Sequence, residues 1–528
     1  MQRPNIVLIL VDDMGFSDIG CYGSEIRTPT LDRLAAGGVR FSQFYNCARC
    51  CPTRASILTG LYPHQAGVGH MVGDRHVGPA YQGFLRDDCV TVAEVLRAAG
   101  YRTLMSGKWH VGGGYTGNRP ETWRPGEPRH PIPVQRGFDR HYGMLGGAGS
   151  YFHPPYMIDD DRLIDPGRQP GYYLTDAISE QAVAMIDDAV ARQQPFFLYA
   201  AYTAPHWPLH AWPDDIERYR GRYARGGWDA VRTARHEQLK AAGLLDPRWP
   251  ISPRDEQAPP WPDVPAKQWE DLRMAVYAAQ VDRMDQGVGR IVAALEANGV
   301  MDNTLILFLS DNGGCAEFVA EDTGTPQPHR YNIPTPDGRP IRVGNTPRID
   351  PGPDDTFASY DLPWANASNT PFRLYKHWVH EGGIATPMIA HWPGVAAAGA
   401  AAHAPCHVID IMATCLDAAG IEHPAEFEGH PVTPIEGESF LPAIRGQRWA
   451  RQRAICWEHE GNRAVRLDHW KLVSKYPGPW ELYDMSTDRT ELDDLSGRNP
   501  GKLRELTALY DAWAPRVGVV PWEQLTAN

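Results

Sequence analysis

Pro4–Val11 (PNIVLILV) is an unbroken apolar run, the pattern of a parallel strand buried on both faces. Phe196–Ala201 and Thr304–Leu309 repeat it, and Tyr101–Met105 and Pro387–Trp392 predict two further strands. Between them the period changes. Thr28-Pro29 predicts an N-cap with proline at the first helical position, opening a helix through Leu34 that stops at Gly37-Gly38. Val90–Ala99, Ala177–Ala191 and Val408–Ala419 predict helices, as does Leu272–Ala297, where Met274, Val281, Met284, Val288, Ile291 and Leu295 recur at helical spacing. Strands alternating with helices predict an α/β fold: a large mixed, mostly parallel sheet flanked by helices on both faces. Beyond about residue 421 the pattern shifts to short antiparallel strands at Arg453–Glu458, Arg463–Leu467 and Lys471–Ser474, then a helix at about 500–513. The expected division is a main α/β domain, 1–420, and a smaller C-terminal α+β subdomain containing an antiparallel sheet, 421–528. Three stretches break the rhythm, at about 112–172, 205–265 and 315–370, and insertions of that length are expected to form lids or rims.

Composition narrows the function. With 51 Lys+Arg against 64 Asp+Glu the formal charge is −13, which argues against a nucleic-acid binder. The longest apolar runs fall far short of the ~20 residues of a membrane helix. A strand-like run within a few residues of Met1 leaves no room for a signal peptide, so a cytoplasmic location is expected, or a periplasmic or secreted one if a leader was removed. The nine cysteines are odd in number and dispersed, unlike a disulfide framework, and most are expected to be reduced core residues. Adjacent Cys50 and Cys51 rarely bridge and need another explanation.

Two strand ends carry acids. Asp12-Asp13 follows the first strand and Asp311-Asn312 follows Thr304–Leu309, and ligands in open α/β sheets bind beyond such carboxyl ends. Singly, each pair reads as a turn or cap. Together they offer three carboxylates and an amide oxygen, the hard-oxygen set of Ca²⁺ or Mg²⁺.

Cys50-Cys51-Pro52-Thr53-Arg54, followed by ASILTG, is a C-x-P-[ST]-R signature with a downstream L-T-G. It resembles the type I (formylglycine-dependent) sulfatases, the arylsulfatase-like branch of the alkaline-phosphatase superfamily. Gly107-Lys108-Trp109-His110, Ala204–Pro208 (APHWP), Ser310–Gly314 (SDNGG), Lys376 ahead of His380–Gly383 (HEGG), and WEHEGNRAVR at 457–466 look like further family blocks in family order.

The resemblance implies hydrolysis of sulfate monoesters. Cys50 would be oxidised to formylglycine by a transient partner, a formylglycine-generating or sulfatase-maturating enzyme, and the aldehyde hydrate would be the nucleophile. Asp12, Asp13, Asp311 and Asn312, with residue 50, would hold the cation, Ca²⁺ in preference to Mg²⁺. Arg54 would pair with residue 50 and the acids, Lys108 with a sulfate oxygen, and His110 would be the base that releases sulfate. His206 and Lys376 would serve the leaving oxygen. Lys108 and His110 stand two residues apart, so both reach one cleft only if the backbone turns there. The chain departs from the family in Thr53, where serine is commoner, and in Ala385-Thr386-Pro387, where Arg-Val-Pro is frequent. A phosphonate or phosphodiester hydrolase on the same fold, or a non-catalytic binder of sulfated glycans, are the alternatives. Intact positions at Cys50, Arg54, Lys108, His110, His206 and Lys376 speak against the binder. The negative charge favours a small or terminal sulfate ester, and nothing in the sequence assigns an oligomeric state. His64 and His70 either line the pocket mouth or are ordinary loop residues.

Overall fold

A computed structural model describes residues 3–73, 77–113, 124–321 and 334–526. The first eight strands are β1 (Asn5–Val11), β2 (Val39–Tyr45), β3 (Arg102–Gly107), β4 (Arg140–Met144), β5 (Met157–Asp159), β6 (Arg162–Leu163), β7 (Phe196–Ala201) and β8 (Thr304–Ser310). At the centre of the main sheet, β8, β1, β7, β3 and β4 run parallel in that spatial order. Every residue of β1, β7 and β8 is buried, which is why their sequences are continuously apolar instead of alternating. Helices cover both faces, the longest being Lys267–Ala297, which begins five residues before its apolar pattern does.

The sheet is mixed. Ala385–His391 lies antiparallel between β8 and β2, and β5 and β6 add antiparallel strands beyond β4. The 112–172 stretch therefore contributes three short strands that widen the sheet. Residues 114–123 and 322–333, within two of the expected insertions, lie outside the described residues. The 205–265 insertion contains a 15-residue helix, Gly227–Ala241.

The α1 helix (Pro29–Ala36) has Thr28 at its N-cap position, yet the Thr28 side chain does not cap it. Asp285, from the long helix, accepts the Thr30 and Leu31 amides at 3.1 and 2.9 Å instead. The C-terminal residues form a four-stranded antiparallel sheet, Ile455–His459, Asn462–Leu467, Trp470–Ser474 and Glu481–Asp484, with the Pro500–Val517 helix packed on it. No helix among the described residues is long and apolar enough to cross a membrane. All nine cysteines are free thiols, eight of them buried.

Candidate active site

The parallel order of β8, β1, β7 and β3 brings four carboxyl ends side by side, delivering Asp311-Asn312, Asp12-Asp13, His206 and Lys108–His110 to one cleft. Strand β2, one strand beyond β8 across Ala385–His391, leads into the α2 helix (Cys50–Thr59), whose ten residues are all buried and whose first residue is Cys50. Lys376 arrives from the loop preceding the Ala385–His391 strand. All ten residues singled out from the sequence are buried there.

Arg54, one turn into α2, donates from Nε and Nη2 to Asp311 Oδ2 at 3.1 and 2.8 Å and lies 3.7 Å from Asp12 Oδ2. Its Nη1 donates to the Lys108 carbonyl at 2.9 Å. Lys108 Nζ donates to Asp12 Oδ2 at 2.5 Å, and Lys376 Nζ lies 2.8 Å from Asp13 Oδ1. The Asn312 amide donates to Asp13 Oδ1 at 2.7 Å. Three buried carboxylates thus face three buried cations. Burial raises the Asp12 carboxyl, but Lys108, His206 and Arg54 prevail and hold it at about 2. Burial, with Asp12 beside it, pushes Asp311 well above the usual carboxylate range.

The backbone turn required at Lys108–His110 is present. Gly107 has φ +119 and His110 φ +56, and a Cβ at Gly107 would meet the Ala201 carbonyl oxygen at 2.0 Å, so only glycine lets β3 leave the sheet here. Asp13 is likewise left-handed at φ +65, with its amide donating to Asp311 Oδ1 at 3.3 Å. Gly313 is constrained by close approach, since a Cβ there would sit 1.9 Å from the Gly382 carbonyl oxygen.

His206 lies within 2.7 Å of the Trp207 carbonyl through Nδ1, which fixes the proton on that nitrogen. Nε2 is then turned towards Asp13 Oδ2, at 3.3 Å, and Lys376 Nζ, at 3.5 Å. His110 Nε2 lies 3.3 Å from the Cys51 sulfur. Burial and Lys108 lower His110 to about 4, so its ring is neutral at neutral pH. A hydrogen bond from Cys51, together with Lys108 and His110, holds the Cys50 thiol well below the usual range, whereas burial pushes Cys51 well above it.

The donor set suits a hard cation. Asp12 Oδ1 and Asn312 Oδ1 are buried and make no hydrogen bond among the described residues, two oxygens free to coordinate.

One further residue at this cleft, Glu317, carried no sequence signal. Glu317 accepts from Arg49 Nη1 at 2.9 Å and from Trp207 Nε1 at 3.1 Å. A lone acid in a polar stretch has no periodicity or spacing to mark it. His64 and His70, which the sequence left as pocket-mouth or ordinary loop residues, both bond to the C-terminal hairpin, at 2.9 Å to Glu458 and 2.7 Å to Glu460, tying the loop after α2 to that hairpin.

A mixed-sheet α/β protein with a cleft of buried carboxylates and cationic side chains at the carboxyl ends of its parallel strands is the class this geometry defines. Residues 4–421 match the family described as Sulfatase, and residues 372–507 match N-sulphoglucosamine sulphohydrolase, C-terminal. The chain belongs to the sulfatase family and is a sulfuric ester hydrolase. An arylsulfatase of Klebsiella aerogenes is 33% identical, covering 86% of this chain and 94% of its own. An uncharacterized sulfatase of Schizosaccharomyces pombe is 31% identical over 98% of this chain and 95% of its own. The crystal structure of Ps i-CgsB in complex with k-i-k-neocarrahexaose superposes with a TM-score of 0.67 at 27% identity, covering 97% of this chain and 93% of that one.

Proposed function

We propose that this chain hydrolyses sulfate monoesters with a formylglycine made from Cys50 as nucleophile, and that Asp12, Asp13, Asp311 and Asn312 hold a divalent cation with residue 50. The supporting observation is the convergence of three carboxylates, an amide oxygen, Arg54, Lys108 and Lys376 on the N-terminus of α2. Two uncommitted buried oxygens and an all-oxygen protein set favour Ca²⁺ over Mg²⁺, which keeps more of its water. The hydrated aldehyde would supply an oxygen nucleophile and a second hydroxyl through which sulfate can leave. The cation would supply charge neutralisation for the sulfate and that hydroxyl.

The chain's own residues do the rest. Arg54 and Lys108, both fully buried, offset the negative charge of sulfate where fixed charges act most strongly. His206, protonated on Nδ1, presents Nε2 beside Lys376, so the pair can pass a proton to the departing alkoxide. His110, neutral in its buried setting, can take a proton from the group at residue 50. Cys50 is 2% exposed, so the maturating enzyme would act before α2 is packed.

The substrate we favour is a small or terminal sulfated saccharide. The net charge of −13 gives no long-range attraction for polyanions, and Ps i-CgsB was solved in complex with k-i-k-neocarrahexaose. Asp311→Ala should lose bound metal, measured by elemental analysis, together with turnover. Full activity from protein stripped of all metal would refute the cation assignment.

A further inference from the structure

Glu317 has no place in the roles above, yet it joins two of them. It stands six residues beyond Asp311, in the segment leaving β8. One carboxylate oxygen accepts from Nη1 of Arg49, the residue immediately before Cys50 and the N-cap position of α2. The other accepts from the indole Nε1 of Trp207, the residue immediately after His206. Trp207 in turn takes the His206 Nδ1 proton on its carbonyl, and its ring lies 4.5 Å from the imidazole, centroid to centroid. The Glu317 backbone is held as well, its carbonyl accepting from Ser359 Oγ at 2.6 Å. Burial opposes ionisation of Glu317, but Lys376 and Arg49 keep it in the carboxylate form that accepts from both donors.

We infer that Glu317 is a positioning residue that sets the separation and angle between the nucleophile at residue 50 and the leaving-group imidazole of His206. It is a two-sided clamp. One arm reaches the start of the nucleophile helix, the other the corner that carries His206, and no other side chain among the described residues bonds to both Arg49 and Trp207. A carboxylate suits the task because its two oxygens accept two N–H donors in one plane. Neither Glu317 nor Trp207 needs to touch the reacting atoms. Small displacements of a proton donor are costly in rate, whereas substrate binding through Arg54 and Lys108 is untouched.

This inference rests on the proposed role of His206 in protonating the leaving group, and the test separates the two. Matured Glu317→Ala, Trp207→Phe and His206→Ala enzymes are compared with wild type on sulfate esters spanning leaving groups from nitrophenol to alkyl alcohols. Trp207→Phe removes the indole N–H donor while keeping an aromatic ring at that position. The clamp predicts that kcat for alkyl sulfates falls roughly 10- to 100-fold in both Glu317→Ala and Trp207→Phe, with less than about threefold loss on nitrophenyl sulfate and KM little changed. The dependence of rate on leaving-group pKa should steepen in the direction of His206→Ala. Equal loss across leaving groups, or no loss, in the two clamp variants while His206→Ala remains selective would overturn the clamp alone. Uniform loss in His206→Ala would overturn the leaving-group role beneath it.

Discussion

Residue identity at the cleft was largely legible because chemistry needed particular types at particular strand ends. Acids at two carboxyl ends and the Cys50–Arg54 signature named most of the site, and the left-handed turn at His110 answers how Lys108 and His110, two residues apart, serve one cleft. Glu317 and Asp285 were not legible, since each acts on a segment far away in sequence and neither sits in a pattern. Cys51 is more involved than a buried inert thiol, because it lies against both Cys50 and His110. Cys51→Ala should nonetheless keep substantial turnover, losing the hydrogen bond but not the nucleophile's position, as steady-state rates will show. Lys376→Ala leaves Asp13 without its closest cation and His206 without its donor neighbour. It should lower kcat on alkyl sulfates by about 10²-fold or more, as steady-state kinetics on alkyl and nitrophenyl sulfates will show.

Elements whose burial matches their period have ends close to those the sequence predicts: β1, β7 and β8 are buried throughout, and Val92–Ala98 opens with a capping box between Thr91 and Glu94. β2 was passed over because VRFSQFY interleaves polar residues with apolar ones, being half-covered at two positions. The direction of Ala385–His391 leaves no mark in its sequence, as an apolar run reads alike in parallel and antiparallel pairs. Thr28 looks like a cap, but its hydroxyl is engaged by the Gly20 amide at 2.8 Å, and Asp285 takes over at α1. Asp285→Ala should therefore destabilise the protein by about 1–2 kcal/mol in chemical denaturation, with catalysis unchanged in the folded enzyme.

At the scale of the molecule, a buried ionic network joins the C-terminal sheet to the main one. Lys471 lies 2.9 Å from Glu381 and 2.7 Å from Glu491, and Arg489 Nε donates to Glu381 at 3.0 Å, all with fully buried side chains. Glu381 stands just ahead of the Ala385–His391 strand, so the network anchors the same C-terminal sheet whose first hairpin His64 and His70 grip. Lys471→Met leaves two buried carboxylates with one fewer cation and should cost about 3–5 kcal/mol, read as a lowered thermal midpoint. Acid should weaken the fold too. Burial depresses His141 and His210 to about 4 in the native state, below the ordinary histidine value of 6.5. The unfolded chain therefore binds more protons between those values, and stability falls as pH drops from 6.5 to 4. Asp285, raised to about 6 by burial, works the other way over much of that window, as do other buried carboxyls such as Asp410, so the histidine contribution is isolated by substitution. His210→Asn should flatten the slope of thermal midpoint against pH.

The central claim, a formylglycine nucleophile at position 50, is tested most directly by peptide mass spectrometry of residues 50–54 run beside a sulfatase assay. Pro52 and Arg54 stand two and four residues after Cys50, so Cys50 and not Cys51 is in register. The prediction is an aldehyde at residue 50, an unmodified thiol at Cys51, and specific activity that rises in proportion to the aldehyde fraction across preparations made with and without a maturating enzyme. A fully active preparation carrying an intact Cys50 thiol and no aldehyde would contradict it.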